Sequence, residues 1–366
     1  MTIPPGPPPY GPGNGPGGYG YGYGYGPGYP PPPPKPGVIP LAPLGVGAIL
    51  SGTFAAFGRH WKQLLGVTGA VYGAAIVVVL GAIGIAYASV ADLLPAVFDL
   101  PTYQEPQWAD VRPLLVAFGL VCLVATVAMA VAGAVLAAAC PAVVQEAVLG
   151  RPLRFGELWR RAWSRTATVL GTTILTVLAT MLPMLLAMAG FVGMFFAAFA
   201  ASVDSDDPPV GDYIALPLIG VALALLLAPL SAWLWVKFSL APSVAVMEGQ
   251  GVTASMRRSS ALIRDNWWRS FGVILLVGLI ASAVAMVIQQ ILSMVAWIPL
   301  LGMHGGDSAG AAVVVVVVVL SFLILGQLVS QLAVSVFPAM ATALLYVDLR
   351  IRKENLAPDL TRAAGL

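Results

Sequence analysis

Six long apolar runs, nearly free of charge, dominate this sequence and limit the folds open to it. Each exceeds the ~20 residues that a helix needs to cross a bilayer. The runs cover residues 64–91, 113–145, 166–202, 213–246, 271–301 and 311–346. Even the valine run at 313–319 is predicted to be helical, because in lipid a helix satisfies its own backbone groups and an isolated strand does not.

Composition excludes a water-soluble globular protein. The chain has 366 residues, of which 59% are hydrophobic and only 9% are charged, too few charges to cover a surface in water. The net charge of +2 is too small to indicate binding to nucleic acid. We therefore predict an all-α fold, a polytopic transmembrane helical bundle with the lipid bilayer as its main partner.

The distribution of charge predicts the orientation of the six spans. Basic residues cluster before the first span, between the second and third, between the fourth and fifth, and after the sixth. The other loops are acidic, with Arg112 as their basic exception. By the positive-inside rule the basic side is cytoplasmic. Both termini are then predicted to be cytoplasmic, in a multi-pass protein of the cell membrane.

The composition along the chain predicts a division into three segments. Residues 1–37 are almost entirely Pro, Gly and Tyr, which cannot bury enough apolar surface to offset the entropy of ordering. They are predicted to form a disordered cytoplasmic tail, which either docks a protein partner or acts as a solvated spacer. Residues 38–349 form the predicted six-helix transmembrane domain. Residues 350–366 form a short cytoplasmic C-terminal tail.

A weak internal repeat divides the spans into three similar hairpins. The second, fourth and sixth runs carry Pro141, Pro242 and Pro338 near their cytoplasmic ends, each about 100 residues from the next. A helix can kink or end there without leaving backbone groups unpaired in lipid. We expect the three prolines at the level of the inner headgroups.

A short amphipathic stretch precedes the first, third and fifth spans and is predicted to form an interfacial helix. Such helices place Trp at headgroup level and Arg toward anionic lipid phosphates of the cytoplasmic leaflet. The predicted contacts with lipid headgroups are Arg160, Arg161, Trp163, Arg257, Arg258, Arg264, Trp267, Trp268 and Arg269.

Three stretches of the chain carry a resemblance to known proteins. They are PSVAVMEGQGVTASMRRSSALIRDNWWRSFG at 242–272, the opening PLGVGAILSGTF and the closing YVDLRIRKENL. These resemble actinobacterial multi-pass membrane proteins related to the membrane domain of glycerophosphodiester phosphodiesterases. The resemblance spans roughly residues 38–356 and implies a multi-pass membrane module. Phosphodiesterase activity is not implied, because it belongs to a separate soluble barrel that no segment here encodes.

The histidines of the sequence indicate no metal site, and its motifs indicate no zinc protease and no nucleotide-binding site. Its two histidines, His60 and His304, fall on opposite predicted sides of the membrane and cannot share a metal. It contains no HExxH or Walker motif. We expect no enzyme activity, no cofactor and no metal.

Polar residues inside the spans are few, so each is a candidate for function. Gln289, Gln290, Gln327 and Gln331 are deeply placed and either line a pathway or form hydrogen bonds between helices. Lys237 is either a substrate or ion site, or an interfacial anchor that extends its ammonium to the headgroups.

Acidic residues follow each of the three prolines, at Glu146, Glu248 and Asp348. They either pair with arginines of the interfacial helices and hold the repeats together, or are simply solvated, since exposed pairs contribute little.

Two functions remain open for the whole chain. The first is a membrane scaffold or regulatory subunit, and the alternative is a transporter or lipid-handling protein.

Overall fold

The computed structural model describes residues 35–93, 97, 107–204, 210–301 and 329–364, with positions 315, 319, 322, 326 and 327. Regular structure in these residues is entirely helical. Six of the described stretches are long and apolar enough to cross a bilayer, which confirms the all-α polytopic bundle. They are Val46–Leu93, Val111–Leu149, Phe155–Ala197, Leu218–Met247, Val252–Val295 and Val329–Glu354. The predicted tail lies outside the described residues except at positions 35–37.

Nine α-helices follow one another along the described chain. They are α1 (Val46–Val90), α2 (Trp108–Leu149), α3 (Phe155–Asp204), α4 (Val210–Phe238), α5 (Ala241–Met247), α6 (Val252–Ile263), α7 (Trp267–Leu301), α8 (Phe337–Glu354) and α9 (Ala357–Ala364). Helix α1 packs against α2 and α3 against α4, which are the first two predicted hairpins. A π-helical turn, Leu332–Val336, leads into α8, and both contact α7.

The buried core lies at one end of the bundle, which we call the basic end. It comprises the first turns of α1, α3 and α7, the last turns of α2, and α5, α6 and α8. Along α2, Leu136 and Val143 are fully buried near this end, whereas Leu115 and Phe118 further away are 52% and 68% exposed. Large exposed apolar side chains are what a lipid-facing helix requires.

The three repeat prolines have different local structures. Pro141 lies inside the continuous helix α2. Pro242 and Pro338 each occupy the first turn of a helix, α5 and α8. Proline is tolerated in a first turn because its missing N–H would have no partner there. The α-helix is interrupted before two of the three prolines, by a turn at residues 239–240 and by a π-helical turn before α8, and it is continuous at the third.

The predicted interfacial helices differ from one another. The first stretch, at the start of α1, is divided from the rest of that helix by a kink at His60 (φ −121°, ψ 17°), and the second continues into α3 without a break. The third is a separate helix, α6, because the 3₁₀ turn Arg264–Asn266 divides it from α7. Helix α6 buries Ser255, Ser259, Leu262 and Ile263 against the bundle.

The chain enters the bundle through a non-helical stretch, residues 36–45, which we call the entry segment. The Val38 N–H donates to the Ala147 carbonyl at 3.1 Å, and Ile39 and Leu44 are buried. The contact is close, since a Cβ added at Gly37 would lie 2.1 Å from the Ala147 oxygen. The entry segment is thus fixed against the end of α2.

The C-terminal segment is more helical than the predicted tail implies. Helix α8 continues past position 349 to Glu354, and Asn355 reverses the chain in the left-handed region (φ 53°). Helix α9 follows, and the Arg151 guanidinium donates to the Ala363 carbonyl at 2.7 Å. These contacts attach the end of the described chain to the loop between α2 and α3.

Candidate functional site

A cavity of about 500 Å³ lies where α2, α3, α4, α5, α7 and α8 meet, and we call it the central cavity. All three repeat prolines, Pro141, Pro242 and Pro338, line it. Pro141 lies inside α2, whereas Pro242 and Pro338 lie in the first turns of α5 and α8. The three hairpins therefore bring their prolines together around one space.

Hydroxyl groups give the central cavity its weak polarity. Its lining includes Thr173, Thr176, Thr180, Ser239, Ser243, Ser282 and Thr342, and no charged residue is among the described residues that line it. Three of the threonines follow one face of α3, where each hydroxyl donates to the carbonyl one turn earlier at 2.7–2.9 Å. Their oxygens keep lone pairs that can accept a hydrogen bond from a ligand.

The central cavity is partly open rather than enclosed. Val177 and Trp235 line it and are also 46% and 44% exposed at the surface of the bundle. In a six-span protein, lipid covers exposed apolar surface of this kind. The arrangement provides a neutral, largely apolar space with hydrogen-bond acceptors on one wall, reachable from the side of the bundle.

Lys237 does not line the central cavity. Its ammonium lies over the Trp233 ring, 4.3 Å from the ring centroid, and the Ser259 hydroxyl donates to its backbone carbonyl at 2.9 Å. A cation over an indole face is attracted by the ring electrons. These contacts fit the anchor interpretation better than a substrate or ion site.

Each acidic residue that follows a repeat proline pairs with an arginine. Glu146 binds Arg161 at 2.7 Å and Glu248 binds Arg258 at 3.1 Å. Both pairs join the end of one hairpin to the first turns of the next. The carboxylates are 10% and 13% exposed, so the structure shows pairing rather than simple solvation.

Asp348 closes the set by reaching the start of the chain. Its side chain is fully buried and binds both Arg269 and Arg352 at 2.9 Å. It also accepts a hydrogen bond from the Leu44 N–H at 2.7 Å, while both arginines donate to the Leu44 carbonyl. One buried carboxylate thereby joins α7, α8 and the entry segment.

The Glu248 pair belongs to a larger network. The buried Tyr346 hydroxyl donates to Glu248 at 2.6 Å. Arg258 also contacts Glu354, which binds Arg350 at 2.8 Å. This network joins the turn after α5 to α6 and α8. Glu248, which follows the second hairpin, and Glu354, at the end of the third, both contact Arg258.

The predicted headgroup contacts divide into two groups. Arg161, Arg258 and Arg269 are engaged by the carboxylates of the bundle. Arg160, Arg257 and Arg264 are exposed, and Arg264 lies close enough to Asp265 to help Lys353 lower the pKa of that carboxyl. Trp163 and Trp268 are 56% and 78% exposed, whereas Trp267 is half-buried and stacks on Phe271 at 5.2 Å. Contact of these residues with lipid stays a prediction.

The four glutamines that the sequence places within the spans do not meet in one cavity. Gln289 accepts a hydrogen bond from Ser330 at 3.2 Å, and Gln331 donates to the Tyr72 hydroxyl at 2.9 Å. Gln290 and Gln327 are exposed. Of the four, none lines the central cavity as far as the structure describes it. Two glutamines therefore connect helices, the commoner use of such residues in membranes.

Sequence reasoning missed the central cavity. It identified the prolines as helix breaks but not as residues that face one another. A usable signal was present in Thr173, Thr176 and Thr180, whose spacing of three and four places them on one helix face.

No family model, curated protein or solved structure matches this chain.

Proposed function

We propose that this multi-pass membrane protein handles lipid and that its central cavity binds the apolar chain of a membrane lipid. The observation that carries the proposal is a neutral cavity, lined mainly by apolar groups and hydroxyls, that opens at an exposed apolar surface. Its volume of about 500 Å³ falls within the roughly 300–1,000 Å³ typical of small-molecule sites.

The lining favours a lipid over an ion or a charged solute. A desolvated ion needs carboxylates, carbonyls or a counter-charge, since an uncompensated charge in an apolar medium is very costly. The hydroxyls of Thr173, Thr176 and Thr180 already donate to their own helix and offer only weak acceptors. An apolar lipid chain requires neither a counter-charge nor a strong hydrogen-bonding group from the cavity wall.

A scaffold or regulatory subunit is the second candidate. Its support is the set of exposed arginines at the basic end, Arg160, Arg257 and Arg264, which suit an acidic partner protein or anionic lipid in the cytoplasmic leaflet. In both proposals the chain lies in the cell membrane with its basic end toward the cytoplasm and is not an enzyme. The N-terminal tail is a further proposed docking site for a partner.

A pair of glycine substitutions in α7 tests the lipid proposal. Gly278 lines the central cavity and has no atom within 4 Å of an added Cβ, so the Cβ of Gly278→Leu meets no neighbour and the rest of its side chain is expected to occupy cavity space. Gly272 lies on the same helix, has equally open surroundings and does not line the cavity. Gly272→Leu is therefore the matched control.

The measurement is native mass spectrometry of the purified protein after mild removal of lipid. The wild type and Gly272→Leu are expected to retain a bound lipid that Gly278→Leu loses. Equal retention by all three proteins would reject the cavity as the lipid site.

A further inference from the structure

A second cavity lies at the basic end, and we call it the polar cavity. Its volume is about 410 Å³. Unlike the central cavity it is lined by charged and amide side chains, among them Gln145, Arg161, Arg165 and Glu248. Nothing in the function proposed above uses it.

The two cavities follow the same faces of the same helices. On α2, Ala137 and Pro141 line the central cavity and Gln145 the polar one, at steps of four residues. On α3, Thr176 lines the central cavity and Arg165 the polar one, eleven residues apart. That separation corresponds to about 16 Å along a helix.

Helix α5 repeats this arrangement. Its residues Pro242 and Ser243 face the central cavity, and Val246 and Met247 one turn later face the polar cavity. Along α3, fully buried Val169 lies between the residues that line the two cavities. The three helices thus align a polar space at the basic end with a largely apolar space further along the bundle.

Arg165 gives the polar cavity a cation that no carboxylate neutralises. Its guanidinium donates to the Gly249 carbonyl at 3.1 Å, and no acidic partner of it occurs among the described residues. Gly249 adopts the left-handed conformation (φ 70°), and an added Cβ there would lie 2.9 Å from the guanidinium. The turn after α5 therefore fixes Arg165 while leaving other N–H groups of its planar fork free.

The other groups of the polar cavity are compatible with an anion. Glu248 accepts hydrogen bonds from Arg258, Tyr346 and Gln250, so its charge is compensated within the protein. The Gln145 side chain is exposed and has no hydrogen-bond partner in the part of the chain described. Its amide can donate to the same ligand as Arg165.

From this geometry we infer that the polar cavity binds the phosphate of an anionic phospholipid whose acyl chain extends toward the central cavity. Arg165 is the residue that recognises the phosphate, because a guanidinium fork binds phosphate oxygens through two parallel N–H donors. The inference rests on the proposed function, since the central cavity has to accept the chain.

The experiment compares phosphatidic acid with phosphatidylcholine of the same chain length. Both are added to the delipidated full-length protein, and binding is measured by native mass spectrometry. The wild type is expected to prefer phosphatidic acid. Arg165→Gln is expected to weaken phosphatidic acid about tenfold and to leave phosphatidylcholine nearly unchanged. Arg154→Gln, at an exposed arginine outside both cavities, is the matched control and is expected to change neither.

Two further variants keep the test decisive. If Arg165→Gln does not fold, Gln145→Glu at its exposed position places a negative charge in the polar cavity and is expected to weaken phosphatidic acid selectively. Gly278→Leu is expected to weaken both lipids. If Gly278→Leu leaves both bound, the proposed function fails. If it weakens both while Arg165→Gln or Gln145→Glu leaves the preference unchanged, only the headgroup assignment fails.

Inorganic phosphate distinguishes a lipid headgroup from a free anion. Millimolar phosphate is expected not to displace phosphatidic acid, because the chain contributes to binding. Displacement at that concentration, together with equal phosphate binding by Gly278→Leu, would overturn the lipid assignment in favour of a site for a free anion.

Discussion

The basic end of the bundle and the helices beyond it are held in different ways. At the basic end, Asp348 is fully buried and contacts two arginines and the backbone of Leu44. Along the helices away from it, Phe118 and Leu226 are 68% and 73% exposed. Lipid tails are as apolar as leucine, so burying such side chains gains little in a membrane. The difference indicates that ion pairs and hydrogen bonds at one end fix the arrangement of the helices.

The strongest test of this comparison is removal of the Asp348 carboxylate. Asp348→Ala removes the carboxylate that accepts from Arg269, Arg352 and the Leu44 N–H, and leaves the two arginines only the Leu44 carbonyl. Breaking a buried ion pair typically costs about 3–5 kcal/mol of folding free energy. We expect a loss of that size in thermal unfolding in detergent.

Asp359→Ala is the matched control for Asp348→Ala. The Asp359–Arg362 pair is 64% and 78% exposed, and such pairs contribute at most about 1 kcal/mol. Equal effects of the two alanine variants would show that the Asp348 contacts do not hold the bundle.

The entry segment offers the second largest effect. A Cβ at Gly37 would meet the backbone of Ala147 and Val148 at 2.1–2.7 Å, so Gly37→Ala has to displace the segment. Overpacking of this kind costs typically about 1–3 kcal/mol. Gly45→Ala, where an added Cβ meets nothing within 4 Å, is the control. Unchanged thermal unfolding of Gly37→Ala would contradict the packing of this segment.

Adjacent arginines of α3 test the division between paired and free charges. Arg161 binds Glu146 and Glu157 at 2.7 Å but is 41% exposed, so we expect Arg161→Gln to cost about 1 kcal/mol. Arg160→Gln is expected to leave unfolding unchanged. The urea dependence of unfolding measures both. A larger loss of unfolding free energy for Arg160→Gln than for Arg161→Gln would contradict the assignment of Arg161 as the paired arginine and Arg160 as the free one.

The smallest expected effect lies within the spans. Gln331→Leu removes the hydrogen bond to the Tyr72 hydroxyl and is expected to cost about 0.6 kcal/mol, the average for such bonds in a helical membrane protein. Exposed Gln327 one turn earlier serves as the control in Gln327→Leu. A loss for Gln331→Leu as large as that for Asp348→Ala would remove the contrast between the two regions.

Much of the fold could be predicted from local sequence, because length and lack of charge determine a transmembrane helix. Pairing of Glu146 and Glu248 with arginines was accessible too, since each pair joins segments adjacent in sequence. The contact of Asp348 with Leu44 was not, because it spans 304 positions. Three interfacial helices were predicted as separate elements. A kink at His60 divides the first from the rest of α1 and Arg264–Asn266 divides the third from α7, but the second continues into α3 without a break.

The candidate site was harder to predict than the fold. Spacing places Thr173, Thr176 and Thr180 on one face of a helix, but it does not say what that face meets. Pro141, Pro242 and Pro338 converge on the cavity, and that convergence depends on how the three hairpins pack. The glutamines were candidates only because they are polar residues within apolar spans. Polarity alone does not distinguish a residue that lines a pathway from one that forms a hydrogen bond between helices, as Gln331 does with Tyr72.

Six spans that alternate across the membrane place all the clusters of basic residues on one side, and cysteine labelling in intact cells tests this most directly. With Cys122 and Cys140 replaced by alanine, single cysteines replace Trp108, Phe155 and Ser260 in turn. A membrane-impermeant maleimide is expected to label position 108 from outside, and positions 155 and 260 only after the membrane is opened. Labelling of position 155 or 260 in intact cells would contradict the six-span arrangement.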